Sequence, residues 1–231
     1  MSGAPTRILL ADDQDDVRSG FRLVLDSQPD MTVVGEAADG ATALELARRL
    51  RPDVVLADIR MPRLDGLELT RLLAGPEAVR PTRVVVVTTF DLDDYVHTAL
   101  RHGACGFLLK RSGPALLIEG VRAAMAGDAL ISPQITVRLL RQLSATPPSP
   151  SASPVPAAPA APAEDPLTDR EREIVRLIAR GRTNAEIGTE LFISPGTAKT
   201  HVANIQAKLK AGNRVGIAAW AWETGLVAPR P

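Results

Sequence analysis

The stretch from Ser144 to Pro166, which is rich in Pro, Ala and Ser, is the feature that most constrains how this chain can fold. Of the 23 residues in this stretch, 8 are Pro, 7 are Ala and 4 are Ser. So few branched or aromatic side chains cannot bury enough apolar surface to offset the entropy of ordering the segment. Repeated prolines favour an extended backbone. We therefore predict a flexible linker over residues 144–166 that divides the chain in two, with a proline-rich ligand for a partner domain as the alternative.

The division changes the meaning of the net charge, which is zero for the whole chain. Residues 1–143 carry 17 basic and 19 acidic side chains, whereas residues 164–231 carry 10 basic and 8 acidic ones. These signs suit an acidic site followed by a nucleic-acid binding domain. The single cysteine, Cys105, cannot form an internal disulfide. Together with the lack of a signal peptide or a 20-residue apolar run, this predicts a cytoplasmic protein without a membrane span.

Five short apolar runs rich in branched residues alternate with segments of helical spacing in the first part of the chain. The runs are Ile8 to Ala11, Met31 to Val34, Val54 to Ala57, Val84 to Val87 and Phe107 to Leu109. Unbroken apolar runs indicate strands that are buried on both faces. Alternating strands and helices predict an α/β fold with a doubly wound, five-stranded parallel sheet.

Polar residues follow four of these runs, where a parallel sheet places its ligands. They are Asp12, Asp13, Asp58, Thr88 and Lys110. Clustered carboxylates repel one another unless a cation joins them, and their hard oxygen atoms suit Mg²⁺. A carboxylate can also act as a nucleophile and form an aspartyl phosphate. Taken singly, each Asp is more simply a turn or cap residue, but the joint placement of all five favours a phosphoryl-transfer site.

The run from Asp53 to Gly66, together with Asp12-Asp13, Val87-Thr88-Thr89 and Phe107-Leu-Leu-Lys110, resembles a response-regulator receiver domain over about residues 5–126. The resemblance implies a flavodoxin-like sheet of order 2-1-3-4-5 and a phosphoacceptor at Asp58. It also implies that Asp13, Asp58 and the backbone carbonyl of Arg60 hold Mg²⁺ with support from Asp12. Thr88 and Phe107 would form the switch pair, and Lys110 would contact the phosphoryl oxygens.

Helix-capping patterns mark the second part of the chain. Thr168 with Glu171, and Thr183 with Glu186, have the spacing of capping boxes. Ser194-Pro195 supplies a third helix start. Three helices within 45 residues indicate a helix-turn-helix. The third helix has an apolar stripe and an opposite cationic, hydrogen-bonding face, which suits the major groove of DNA but is also ordinary for a solvated helix.

The pattern from Leu167 to Lys208 resembles the LuxR/NarL-type DNA-binding domain over about residues 164–228. The resemblance places Lys199, Thr200 and Ala203 at base edges. Helical spacing places Asn204 on the flank of the same surface, as a further candidate for DNA contact. Thr197, His201 and Lys208 would contact or position phosphates, although His201 is equally well explained as a packed structural residue. A fourth helix from Asn213 to Thr224 would serve either dimerisation or closure of the domain core.

These features predict that the chain has four segments, and they support one hypothesis about its function. The segments are a receiver at 1–126, a connecting helical segment at 127–143, the linker at 144–166 and a DNA-binding domain at 167–231. The hypothesis is a two-component response regulator of the NarL/FixJ family, with a sensor histidine kinase, Mg²⁺, promoter DNA and a second copy of the chain as partners. It would catalyse only its own phosphorylation and dephosphorylation.

Two rival hypotheses remain open at the level of sequence. A haloacid-dehalogenase-like phosphatase would use Asp13 and Asp15 after the first strand, but it leaves Asp58 and the C-terminal helices unexplained. A constitutive DNA-binding protein would use the receiver only as a dimerisation platform.

Overall fold

A computed structural model describes residues 4–89, 93–131 and 166–227 of the chain. Within these residues, six strands form one parallel sheet of order β2-β1-β3-β4-β5-β6. The strands are β1 (Thr6–Ala11), β2 (Met31–Ala37), β3 (Val54–Ala57), β4 (Arg83–Thr88), β5 (Gly106–Leu109) and β6 (Leu130–Ile131). The five predicted strands and their order are confirmed, and β6 extends the sheet beside β5.

The short strand β6 differs from the helical segment expected over residues 127–143. Gly127 has a positive φ of 83° and ends the preceding helix. Leu130 and Ile131 then pair with Gly106 and Phe107 on the edge of β5. A two-residue strand is too short to show any periodicity in the sequence. The rest of the expected helical segment and nearly all of the expected linker lie outside the described residues.

Within the described part of residues 4–131, five α-helices cover the two faces of the sheet. They are α1 (Asp15–Asp26), α2 (Gly40–Leu50), α3 (Gly66–Ala74), α4 (Asp93–Arg101) and α5 (Pro114–Ala126). Asp15 and Asp16 lie in the first turn of α1, where negative charge is favourable. Alternate residues of each strand point to opposite faces, so Leu10 packs in one core cluster and Leu9 in another. Burial of both faces explains why the strands read as continuous apolar runs. We call residues 4–131 the α/β domain.

Four more helices form a separate core in residues 166–227, which we call the helical domain. They are α6 (Asp169–Ala179), α7 (Asn184–Leu191), α8 (Pro195–Leu209) and α9 (Arg214–Glu223). Both predicted capping boxes are present, at Thr168 with Glu171 and at Thr183 with Glu186. Ser194 caps α8, with Pro195 at its first position. The predicted core stripe of α8 is buried at Ala198, Val202 and Ile205.

Gly188 in α7 lies against the turn that leads into α8. A Cβ atom at this position would be 2.8 Å from the carbonyl oxygen of Ile193. By contrast, a Cβ atom on Gly20 of α1 would meet nothing within 4 Å. Replacing a helical Gly by Ala normally stabilises a helix by about 1 kcal/mol. At Gly188, the backbone contact opposes this gain.

We therefore expect Gly20→Ala to raise the free energy of unfolding by about 0.5 to 1 kcal/mol, and Gly188→Ala to lower it. Urea unfolding followed by circular dichroism measures the first change. Both tryptophans, Trp220 and Trp222, lie in the C-terminal part of the sequence, so their fluorescence reports on the second. Equal stabilisation by the two substitutions would show that Gly188 has no packing role.

Candidate phosphoacceptor site and DNA-binding surface

Three carboxylates meet at the carboxyl edge of the sheet. Asp12 and Asp13 follow β1, and Asp58 follows β3, which is the neighbour of β1. One oxygen atom from each of the three lies within 4.8 Å of the others. Asp12 and Asp58 are buried, whereas Asp13 is exposed. The cluster therefore opens to solvent on the side of Asp13.

Lys110, directly after β5, places its ammonium group between two of these carboxylates. Its Nζ atom lies 2.7 Å from Oδ2 of Asp12 and 2.8 Å from Oδ2 of Asp58. Burial disfavours the charge on Lys110, but hydrogen bonds to Asp12 and Asp58 outweigh burial and raise its pKa. Burial raises the pKa of Asp12 by more than its hydrogen bonds from Lys110 and Gln14 lower it. The site thus already contains one cation held by two acids.

Backbone groups fix the direction of the Asp58 carboxylate. The N–H of Ile59 donates to Oδ1 of Asp58 at 2.6 Å. The N–H of Gly66 donates to the carbonyl oxygen of Ile59 at 2.8 Å and holds the start of α3 close. A Cβ atom on Gly66 would be 1.9 Å from the carbonyl oxygen of Asp58. Only glycine allows this approach, so Gly66 positions the loop that carries Asp58.

The predicted switch pair lies on the two strands beyond β3. Thr88 is the last residue of β4 and is fully buried. Phe107 in β5 is also fully buried, in a cluster with Ile59, Val96 and Ala104. The ring is therefore packed inward, among residues of α4 and of the turn between α4 and β5.

The donor set of this edge fits a divalent cation. Three carboxylates with oxygen atoms within 4.8 Å of one another supply the hard oxygen ligands that Mg²⁺ prefers. The Lys110 ammonium shows that the cluster attracts positive charge. Asp15, the second acid of the phosphatase hypothesis, is paired with Arg18 within α1 and does not belong to the cluster of three carboxylates.

The predicted DNA-binding face of α8 is partly turned toward the α/β domain. Nζ of Lys199 donates to the carbonyl oxygen of Met125 in α5 at 2.7 Å. Lys199, Ala203 and Gln206 all line a cleft between the two domains. Lys199, one of the residues expected to contact base edges, therefore contacts the α/β domain of the same chain.

The other predicted contact residues lie on or beside this face. Thr197 shares a hydrogen bond with Ser194 at the start of α8, and Thr200 donates to the carbonyl oxygen of Gly196. Asn204 is exposed, and His201 is half-buried. These four residues are on one helix, as predicted, and their contacts with DNA stay a prediction.

Lys208 has a structural partner that the sequence pattern did not reveal. Its Nζ atom lies 2.7 Å from Oε2 of the buried Glu171. Burial disfavours the charge on Glu171, but hydrogen bonds from Lys208 and Thr168 outweigh it and lower the pKa of Glu171. Lys208 therefore ties α8 to the start of α6, and its contact with phosphate remains a prediction.

A set of polar contacts between the domains was missed by sequence reasoning. The side-chain amide of Asn213 donates to the carbonyl oxygens of Leu100 at 2.6 Å and Ala104 at 2.9 Å. Arg214 lies 3.3 Å from Asp128. Asn184 donates its backbone N–H to Asp128 and its amide to the carbonyl oxygen of Ala126. Asn213 could have been found only as a helix cap, since its side chain also accepts from the N–H of Gly216.

Comparison with known proteins agrees with both halves of this arrangement. A family model described as the response regulator receiver domain matches residues 8–122, and one described as bacterial regulatory proteins of the luxR family matches residues 165–221. The transcriptional regulatory protein LiaR of Bacillus subtilis is 38% identical over 221 residues, which cover 96% of this chain and 99% of LiaR. The chain belongs to the response regulators.

Other response regulators extend the similarity. The nitrate/nitrite response regulator protein NarL of Escherichia coli K12 is 37% identical over 216 residues, 94% of each chain. The crystal structure of the response regulator ChrA has a TM-score of 0.52 and 34% identity, and covers 97% of this chain and 100% of that one. This response regulator is thus a transcription factor with a receiver and a LuxR-type DNA-binding domain.

Among the residues that the structure describes, no helix combines the length and the apolar character needed to cross a bilayer.

Proposed function

We propose that this response regulator accepts a phosphoryl group on Asp58 from a partner histidine kinase and then binds promoter DNA as a dimer. The bond from phosphorus to the kinase histidine nitrogen breaks as a bond to a carboxylate oxygen of Asp58 forms. Support comes from the placement of Asp58 beside Asp12, Asp13 and Lys110. We place this reaction in the cytoplasm.

The residues around Asp58 have distinct roles in this proposal. Asp12, Asp13, Asp58 and the carbonyl of Arg60 would hold Mg²⁺, which neutralises charge on the phosphoryl oxygens when bound. Lys110 would exchange its contact with the Asp58 carboxylate for a contact with a phosphoryl oxygen. The hydroxyl of Thr88, at the end of the next strand, would turn toward the same group.

One packed cluster links this edge to the helical domain. Phe107 packs with Ala104 and with Leu100 of α4. The carbonyl oxygens of Ala104 and Leu100 are those that hold Asn213. A phosphoryl group adds about 1.5 to 2 negative charges at pH 7. Movement of Thr88 and Phe107 around that charge would disturb the carbonyls that bind Asn213.

The observation that carries the proposal is the hydrogen bond from Lys199 to Met125 of the receiver. Because the α/β domain covers the face of α8 that carries Lys199 and Ala203, DNA could reach this face only after the two domains separate. Phosphorylation would favour separation. Two helical domains, paired through α9, would then match two DNA half-sites. We also propose a receiver at 1–126, a flexible linker at 144–166 and a DNA-binding domain at 167–231 as the domain organisation.

Beryllofluoride with Mg²⁺, a mimic of the phosphoryl group, tests this proposal on the full chain. We expect it to raise the affinity for promoter DNA about 10- to 100-fold, which corresponds to about 1.4 to 2.8 kcal/mol, and to shift the chain toward dimers. Fluorescence anisotropy with labelled DNA and sedimentation measure the two effects. Beryllofluoride without Mg²⁺ is the control. DNA affinity and dimerisation that do not respond would instead support a constitutive DNA-binding protein.

A further inference from the structure

The cleft between the two domains has an unusual set of charges. The cleft is open to solvent on one side and has a volume of about 250 Å³. Its walls come from the start of β4, the end of α5, the face of α8 and the turn before α9. Four charged side chains line it, namely Arg83, Asp128, Lys199 and Arg214. Cys105 also lines it, but burial raises the pKa of its thiol to about 11 and keeps it neutral.

One cation in the cleft is already neutralised. Arg214 is paired with Asp128 at 3.3 Å and donates to Oδ1 of Asn184 at 2.9 Å. The two remaining charges are both positive. Arg83 comes from the α/β domain, and Lys199 comes from the helical domain. The cleft therefore has an excess of two positive charges, one from each side.

Two side chains that line this cleft have donors without an acceptor in the described part of the chain. Among residues 4–89, 93–131 and 166–227, no hydrogen-bond or ion-pair partner exists for the guanidinium of Arg83 or for the side-chain amide of Gln206. Lys199 uses one of its three N–H bonds on the carbonyl of Met125. Arg83 and Gln206 are both half-buried, so their access to water is limited. The cleft thus offers unused donors from both domains.

The ammonium of Lys199 and the guanidinium of Arg83 also repel each other. Burial lowers the pKa of Lys199, and the nearby charge of Arg83 lowers it further, against a smaller opposite effect of Asp128. An anion between Arg83 and Lys199 would remove this repulsion. Guanidinium groups bind phosphate oxygens through two parallel hydrogen bonds, which suits Arg83. The volume lies just below the usual range of about 300 to 1,000 Å³ for ligand pockets, so the anion must be small.

We propose that this cleft binds a small phosphate-class anion, such as inorganic phosphate or a compact phosphomonoester, between Arg83, Lys199 and Gln206. Because the site takes donors from both domains, the anion binds only when the domains are together. It therefore holds the regulator in the state that cannot bind DNA, and DNA and the anion compete for Lys199. This site is separate from Asp58, so it adds a second input to the regulator.

Isothermal titration of the full chain with inorganic phosphate tests the binding site. Mg²⁺ is left out, because the acidic edge then repels the anion, and sodium chloride keeps the ionic strength constant. We expect about one phosphate per chain, with at least tenfold weaker binding to Arg83→Gln. Arg80→Gln is the matched control, since Arg80 is exposed and does not line the cleft. Gln206→Ala should weaken binding by a smaller factor.

Equal phosphate binding by wild type and Arg83→Gln would overturn the proposal, since it would place the anion on α8 alone or elsewhere. Circular dichroism of Arg83→Gln checks that β4 is intact. If Arg83→Gln does not fold, weaker phosphate binding by Gln206→Ala than by Arg80→Gln supports the proposal, and equal binding by these two variants overturns it.

A competition experiment tests whether phosphate in the cleft weakens DNA binding. At a phosphate concentration ten times its Kd, the apparent Kd for DNA should rise by up to about elevenfold in the wild type, and by much less in Arg83→Gln. An equal rise in both proteins would mean simple screening and would contradict the proposal. Neither the phosphate titration nor the DNA competition uses phosphorylation. A negative result in either experiment would therefore say nothing against the proposed role of Asp58.

Discussion

An Asp58→Asn variant of the full chain is expected to lose phosphoryl acceptance completely. The amide of Asn is not a nucleophile at neutral pH, whereas the carboxylate is. The substitution also removes one of the two acids that hold Lys110. Incubation with acetyl phosphate and Mg²⁺, followed by intact-mass measurement, should show one added phosphoryl group on the wild type and none on the variant.

Asp16→Asn is the matched control for this experiment. Asp16 is an exposed acid in the first turn of α1, only three residues beyond Asp13, so the substitution removes the same charge near the site. We expect phosphoryl acceptance within about twofold of the wild type, because surface charges act weakly in salt. Phosphorylation of Asp58→Asn at the wild-type rate would assign the acceptor role to another side chain.

The second large effect is expected from Asn213→Asp. Its carboxylate can still accept the N–H of Gly216 and cap α9, since Asp and Asn are equally good N-caps. It has no N–H, however, to donate to the carbonyl oxygens of Leu100 and Ala104. Two lost hydrogen bonds and the new repulsion cost about 1.5 to 3 kcal/mol. We therefore expect DNA affinity without phosphorylation to rise about 10- to 100-fold.

Ala219→Asp provides the control for added negative charge. Ala219 lies in the same helix, is exposed and does not line the interdomain cleft. It should weaken DNA binding slightly through repulsion of phosphates. Fluorescence anisotropy gives the affinities, and small-angle X-ray scattering should show a larger radius of gyration only for Asn213→Asp. Unchanged DNA affinity and size in Asn213→Asp would show that the interdomain contact does not restrain the helical domain.

Local signals made most of the fold predictable. The apolar runs identified β1 to β5 because both faces of the sheet are buried, as at Val54 and Val55. The capping boxes at Thr168 and Thr183 identified the starts of α6 and α7 because each depends on two side chains three residues apart. The strand β6 was not predicted, because a strand of two residues is too short to show a periodic pattern of apolar side chains.

The acidic edge was predictable for a related reason. Parallel strands end at one edge, so Asp12, Asp13 and Asp58 had to meet once the strands were placed. The contacts of Lys110 with Asp12 and Asp58 follow from the position of β5 two strands away from β3. The close approach of Gly66 to Asp58 needed the backbone geometry itself.

The sequence by itself determined the two kinds of domain, the acidic edge with Lys110, and the helix that carries Lys199. Each of these depends on residues a few positions apart, or on the shared edge of a parallel sheet. Only the tertiary structure decided that Lys199 binds Met125, 74 residues away, and that Asn213 binds Leu100, 113 residues away. The partners of these bonds are backbone carbonyls, which every residue has, so no side-chain pattern in the sequence could mark them.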